Sequence, residues 1–144
     1  MSNPQYRRPD LSLRGEEHVT RYLETDGADG YEWNGVPILL LTTTGRKTRR
    51  QRTSALIYGR DGDDYLVVAS AGGSDHHPAW YLNLQANTEA RIQVKAMRTA
   101  VTTRTATSAE RDRLWSIATS YWPNYDVYQT RTSRTIPIVV LSPV

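Results

Sequence analysis

Two short apolar runs on either side of a basic turn constrain most strongly what this chain can fold into. Val36 to Leu41 is an unbroken apolar stretch of strand length, and Ala55-Leu56-Ile57-Tyr58 is a second. Between them stands Thr42-Thr43-Thr44-Gly45-Arg46-Lys47-Thr48-Arg49-Arg50-Gln51-Arg52-Thr53-Ser54, where Gly45 supplies the backbone freedom of a turn. Five of the seven residues from Arg46 to Arg52 are basic, and hydroxyls flank them on both sides. Arginine forks, a lysine point charge, hydroxyls and turn N–H groups together suit an anion with several oxygens, such as a phosphate or carboxylates. The plainer alternative is a solvated hairpin tip whose charges keep a sheet edge from aggregating. This stretch alone leaves both readings open.

The remaining pattern surrounds that hairpin with further strands and inserted helices. Strands are expected at about 36–43, 52–59 and 64–70, the last two joined by Arg60-Asp61-Gly62-Asp63 with Asp-Gly at the turn's centre. Short turns between them predict an antiparallel meander. Ile92 and Val94 alternate with Arg91, Gln93 and Lys95 in a strand over Glu89–Ala96; Met97–Thr107 continues as another, and a last falls near 135–142. Leu13, Val19, Tyr22 and Leu23 give an amphipathic helix within Ser12–Thr25, and Pro78 opens a second that runs to Gln85. Ser108 reads as the N-cap of a third, with Leu114, Ile117, Ala118 and Tyr121 on one face and Pro123 at its end. A short helix or turn follows at 124–129. Residues 1–10, with two prolines and few apolar groups, are expected to be disordered. The pattern describes a barrel-like α+β domain of about six mainly antiparallel strands.

Composition narrows the chemistry. A length of 144 residues carries one domain with a real core, and the absence of cysteine excludes thiol catalysis, zinc–thiolate sites and disulfides. No stretch reaches membrane-span length and the polar start lacks a signal peptide's apolar region, so a cytoplasmic location is expected. Arg7, Arg8, Arg14 and Arg21 around the first helix also suit peripheral contact with the anionic inner face of the plasma membrane, although such arginines more often make a solvated face. Net charge is only +3 while the 46–52 run is dense in cations, which favours a small anionic ligand over nucleic acid. Oligomeric state is left between monomer and homodimer.

Several local patterns fail as motifs. Gly45-Arg46-Lys47-Thr48 lacks the upstream glycine and following helix of a nucleotide-binding P-loop. Asp75-His76-His77 is a poor metal site, because adjacent histidines rarely aim at one ion and His18 lies in the N-terminal helix, so no metal is expected. Ser74 has no nucleophile elbow. Aromatics are densest at Trp115, Tyr121, Trp122, Tyr125 and Tyr128. The spacing of the last two puts both hydroxyls on one side of a helical turn, where phenols near a pocket could donate protons or hydrogen bonds.

Three blocks together resemble the deazaflavin-dependent nitroreductase and quinone reductase family of the split β-barrel, flavin-reductase-like superfamily. They are Leu41-Thr42-Thr43-Thr44-Gly45-Arg46-Lys47-Thr48 with Arg52; Ala69-Ser70-Ala71-Gly72-Gly73 with His77-Pro78-Ala79-Trp80-Tyr81-Leu82-Asn83-Leu84; and Tyr125-Asp126-Val127-Tyr128 with Thr132-Ser133-Arg134-Thr135-Ile136-Pro137. The resemblance implies a split barrel over residues 35–144, preceded by a 1–34 extension. It also implies coenzyme F420, an 8-hydroxy-5-deazaflavin with a phosphate and an oligoglutamate tail. Thr44, Gly45, Arg46, Lys47, Thr48 and Arg52 would then serve the phosphate and tail. Ser70, Ala71, Gly72, Gly73, His77, Pro78, Ala79 and Trp80 would flank the ring, and Tyr125, Tyr128 and Ser70 would assist an acceptor that is a quinone, a nitroaromatic or an activated alkene. Arg49 stands where the family usually has glycine, and Trp122 where its nitro-drug activator has a further tyrosine. The competing readings are an FMN- or haem-binding split barrel and a nucleic-acid module using the basic loop; an anionic tail on the ligand argues against the first, and balanced charge against the second.

Overall fold

Tyr58 is where the barrel closes. The computed structural model describes residues 6–144. Helix α1 (Gly15–Thr25) is followed by β1 (Glu32–Trp33), β2 (Val36–Thr44), β3 (Gln51–Ile57), β4 (Gly59–Asp61) and β5 (Asp64–Val68). Then come a 3-10 turn (Ala71–Gly73), α2 (Ala79–Ala86), β6 (Glu89–Val94), β7 (Met97–Thr105), α3 (Ser108–Tyr121), α4 (Asn124–Thr130) and β8 (Ile138–Pro143). All pairings are antiparallel, and β3 and β4 extend the sheet path β2-β6-β7-β8-β5 at its two ends. Only Tyr58 separates those two strands in sequence, so one bent strand serves both ends of the sheet and gives a split barrel. The Tyr58 amide donates to Pro37 O at 3.2 Å and its hydroxyl meets that of Tyr31 at 2.9 Å, which pins the bend.

Where both faces of the barrel wall are covered, in β2, β5 and β8, the strands carry continuous apolar runs rather than alternating. Leu39 and Leu41 point inward with Val67, Ile92 and Leu141. Ile38 and Leu40 point outward beneath Tyr22 of α1, while Leu66, Val68 and Val140 lie under Leu114 and Ala118 of α3. Full burial of each such side chain contributes about 1.5–3 kcal/mol. Tyr22 is fully buried, and its hydroxyl donates to Ile38 O at 3.0 Å and accepts from Lys95 N at 2.8 Å, which seats α1 on the wall. Helix α2 plugs the barrel end with Trp80 and Leu84.

The structure corrects five expectations. Among the described residues there are eight strands rather than about six, because β1 pairs with β2 and the expected second strand breaks at Tyr58. The break also undoes the meander, since β3 pairs only with β2 while β4 pairs with β5. The hairpin turn is Gly62-Asp63, not Asp61-Gly62, with Gly62 at φ +60 and Asp61 paired to Asp64. Thr107, not Ser108, caps α3, where Glu110 reaches back to the Thr107 N–H at 3.4 Å in a capping box. Disorder was expected for residues 1–10; 1–5 lie outside the described residues, but the following segment is docked. The Asn124 side chain bonds Arg7 N at 2.8 Å and Arg7 O at 2.6 Å, and Asn34 bonds Asp10 N at 2.8 Å and Asp10 O at 2.9 Å.

Candidate active site

Trp80 forms a wall common to two depressions of opposite character. On one side is a cleft of about 290 Å³ between the β2–β3 wall, the 70–72 loop and α4. Its apolar lining includes Ile38, Leu56, Ile57, Trp33, Trp122 and Trp80; Ser70, Tyr125 and Tyr128 bring hydroxyl-bearing side chains to it. On the other side is an open cradle of about 480 Å³, edged by Arg46, Lys47, Thr48 and Arg52 with Ala79 and Asn83, and by a single carboxylate, Glu16. An apolar slot beside a cationic cradle suits one ligand with a flat ring at one end and several negative charges at the other.

The cradle is the β2–β3 turn. Gly45 N donates to Arg50 O at 2.8 Å and Arg49 N to Gly45 O at 2.9 Å, closing the loop, with Arg49 in the left-handed region at φ +62. Arginine thus takes the left-handed backbone that glycine would adopt freely. Asn83, buried on α2 one turn beyond Trp80, accepts from Arg46 N at 3.1 Å and donates to Thr43 Oγ1 at 3.1 Å. One helix therefore holds the loop and walls the cleft. None of the five cations from Arg46 to Arg52 is in an ion pair among the described residues, which leaves their positive field unopposed by any such contact.

The cleft is drawn from separate elements. At its floor Ala71, Gly72 and Gly73 take φ of +45, +64 and +85. A Cβ on Gly73 would stand 2.6 Å from Tyr128 O, so only glycine fits where the loop crosses α4. Arg131 Nη1 donates to Gly72 O at 3.2 Å from the end of α4. The rings of Tyr125 and Tyr128 are 6.2 Å apart, and Trp33 packs on Trp122 at 5.6 Å. Tyr125 is only 4% exposed, and burial pushes its hydroxyl well above the ordinary phenol range. At neutral pH it is therefore a proton-bearing hydrogen-bond donor and not an anion.

Most residues singled out from the sequence meet here. Ser70, Ala71, Gly72, Pro78, Trp80, Tyr125 and Tyr128 border the cleft, while Gly45, Arg46, Lys47, Thr48, Arg52 and Ala79 border the cradle. Gly73 and His77 stand behind the lining, and Thr44 lies outside both depressions, its hydroxyl accepting from Gln51 Nε2 at 3.2 Å. Sequence reasoning missed Asn83 as the anchor of the loop. It also set His18 apart as remote, yet the imidazole lines the cleft with Nε2 2.8 Å from Gly30 O. Arg14, His18 and Tyr22 are spaced by four, so the burial of Tyr22 carries the other two onto the barrel face; that spacing was the available signal.

The fold is a split barrel of the pyridoxamine 5'-phosphate oxidase-like class. A solved pyridoxamine 5'-phosphate oxidase-like protein from Listeria innocua shares the fold at 10% identity, with a TM-score of 0.53 over 74% of this chain and 82% of that one. Residues 14–143 match the family described as F420H(2)-dependent quinone reductase, and the chain belongs to that family. It is 46% identical over 129 residues to the F420H(2)-dependent quinone reductase Rv1261c of Mycobacterium tuberculosis, with 87% of each chain covered. A solved F420-H2 dependent reductase, FDR-A, is 36% identical with a TM-score of 0.68, covering 74% of this chain and 94% of that one. A second solved structure, described as a domain-swapped dimer, is 35% identical with a TM-score of 0.72 over 88% and 95% of the two chains. The protein is thus an F420H2-dependent oxidoreductase of the quinone reductase class.

Proposed function

We propose that this site binds F420 across Trp80, ring in the cleft and charged tail in the cradle, and brings a quinone against the exposed side of the ring. The observation that supports it is the shared Trp80 wall, which sets the two depressions side by side, as a ligand flat at one end and polyanionic at the other requires. Arg46, Lys47, Thr48 and Arg52 hold the phosphate and glutamates, while Ser70 to Gly73 and Pro78-Ala79-Trp80 flank the ring. When bound, the reduced cofactor supplies a hydride. The acceptor gains that hydride and one proton, and charge develops on its oxygen during transfer. A neutral phenol at Tyr125 or Tyr128, with Ser70 as a further donor, hydrogen-bonds that oxygen where it becomes negative. The tryptophan and aliphatic walls exclude water and accept any flat electrophile of that size, so nitroaromatics and activated alkenes fall in the same class. Residues 35–144 act as the cofactor-binding barrel, and the 1–34 extension lends Arg14 and His18 to one wall.

Two further features follow from the same surface. Tyr6 and Leu11 are about half exposed beside Arg7 and Arg8, a pairing that suits peripheral contact with an anionic membrane and access to a lipid-borne quinone. No helix among the described residues is long and apolar enough to cross a membrane. A homodimer is the assembly to test first, given the swapped dimer of a relative. The deciding experiment is a tryptophan-fluorescence titration with F420, FMN and an oligonucleotide, followed by oxidation of F420H2 by a quinone. Tight F420 binding that weakens with salt, with turnover, is expected; preference for FMN or the oligonucleotide would overturn the assignment.

A further inference from the structure

Arg134 lies between α4 and β8, outside the cleft lining, with its guanidinium against the loop that floors the cleft. Nε donates to Ser74 O at 2.7 Å, Nη1 to Ala69 O at 3.2 Å and Nη2 to Ser70 O at 2.7 Å. Nη1 also stands 3.1 Å from His77 Nδ1. A guanidinium only donates, so Nδ1 accepts and the neutral His77 ring carries its proton on Nε2. One side chain thus gathers three carbonyls and an imidazole from 69–77, an arrangement that a lysine ammonium lacks the fork to reproduce.

The consequence lies on the opposite side of those peptides. In a planar trans peptide the C=O and the following N–H point in opposite directions. Drawing the carbonyls of Ala69 and Ser70 toward Arg134 turns the N–H groups of Ser70 and Ala71 away from it. Neither N–H has a hydrogen-bond partner among the described residues, and both residues border the cleft. Ala71, at φ +45, holds a conformation that an L-residue keeps only when its surroundings impose it.

We infer that Arg134 is a positioning residue for the cofactor ring, orienting the 69–71 peptides so that two backbone N–H groups donate into the cleft toward the carbonyl edge of the deazaflavin. The inference rests on the placement of the ring proposed above. Arg134 and Arg131 flank the end of the segment that carries Tyr125 and Tyr128, so the same ties fix the ring relative to the phenols.

Arg134→Ala and Arg134→Lys test this with and without F420. In cofactor-free protein, amide exchange across 69–74 rises in both variants while β6 and β7 exchange as in wild type. F420 affinity falls by at least about tenfold, the loss of two fixed donors, while its salt dependence, set by the cradle, is retained. Ethylguanidinium restores part of the affinity of Arg134→Ala, which a general loss of structure would not allow. If Arg134→Ala does not fold, Arg134→Lys carries the exchange and affinity measurements, with its denaturation midpoint as the check on folding. Unchanged exchange at 69–74 overturns the inference alone. Faster exchange with wild-type affinity overturns it together with the placement of the ring in the cleft. Faster exchange throughout the barrel without ethylguanidinium rescue reduces Arg134 to a structural residue.

Discussion

The cleft and the cradle meet at Trp80 but are held by different means. The cleft is assembled from α1, β2, β3, the 70–72 loop, α2 and α4, and its walls are locked by ring packing, close backbone approach and arginine-to-carbonyl bonds. The cradle takes its cations from one contiguous turn whose charged tips lie in solvent, with Glu16 of α1 and Trp80 of α2 at its border and Asn83 as its main tie to the body. A ring that must be placed accurately for hydride transfer calls for rigidity, since small misplacements are costly in rate. A flexible polyanionic tail needs only a concentrated field. The two halves should therefore fail differently when altered: the cleft through stability and turnover, the cradle through salt-sensitive affinity alone.

Gly73→Ala should break the cleft most severely. The new Cβ would meet Tyr128 O at 2.6 Å and Arg131 Cβ at 2.9 Å while the backbone is held at φ +85. A loss of about 2–4 kcal/mol and of F420 binding is expected, read from a urea midpoint and a titration. A variant as stable as wild type would show that the loop yields and that the contrast in rigidity is mistaken. Next in size are Tyr125→Phe and Tyr128→Phe, which keep the rings and remove the hydroxyls. At least one should lower quinone turnover by about tenfold or more with F420 affinity and thermal midpoint close to wild type. Equal turnover in both would remove the phenols from the reaction.

The same contrast decides what was legible in the sequence. The cradle could be read directly because its residues are consecutive and its chemistry depends on charge, which composition reveals. Strand positions were legible from the apolar run 36–41 of β2, which is buried on both faces, and from the shorter run Ala55-Leu56-Ile57 at the end of β3. The bend at Tyr58 was not, since a strand that leaves one edge of a barrel to join the other has the same local pattern as one that continues. His18 was signalled only by its four-residue spacing from Tyr22. Trp33 was signalled by no local pattern, because its place in the cleft depends on β1 pairing with β2 and on its packing against Trp122. Tyr125 and Tyr128 were found through helical spacing, a short-range rule that tertiary packing left intact.

For the cradle, Lys47→Ala and Arg52→Ala should each weaken F420 binding about two- to fivefold, corresponding to roughly 0.5–1 kcal/mol for exposed charge-assisted contacts. The loss should shrink as salt rises, with no change in thermal midpoint. Wild-type affinity in both would return the stretch to a solvated hairpin tip. A large loss of stability would instead show that the cradle is as rigidly built as the cleft.

The smallest effect expected is a pH dependence confined to the cleft floor. Burial, and then the Arg134 charge, hold His77 below its ordinary value of 6.5. Its folded pKa is therefore lower than its unfolded one, and the unfolded chain binds the extra proton more readily. The stabilisation from neutral His77 is complete above about pH 6.5 and is lost as pH falls through the folded value, because a protonated Nδ1 can no longer accept from Arg134. Asp61 and Glu110 are also held low, by Arg113 and Arg104, but they act further down, below their ordinary carboxylate values. His77→Asn keeps an acceptor near the place of Nδ1 and cannot titrate. Between pH 7 and 5 the wild-type midpoint should fall about 1–3 °C further than that of His77→Asn, while Lys47→Ala follows the wild type over the same range. Parallel curves for wild type and His77→Asn would show that the Arg134–His77 contact contributes nothing to the floor, and that the cleft's rigidity comes from the carbonyl bonds and Gly73 alone.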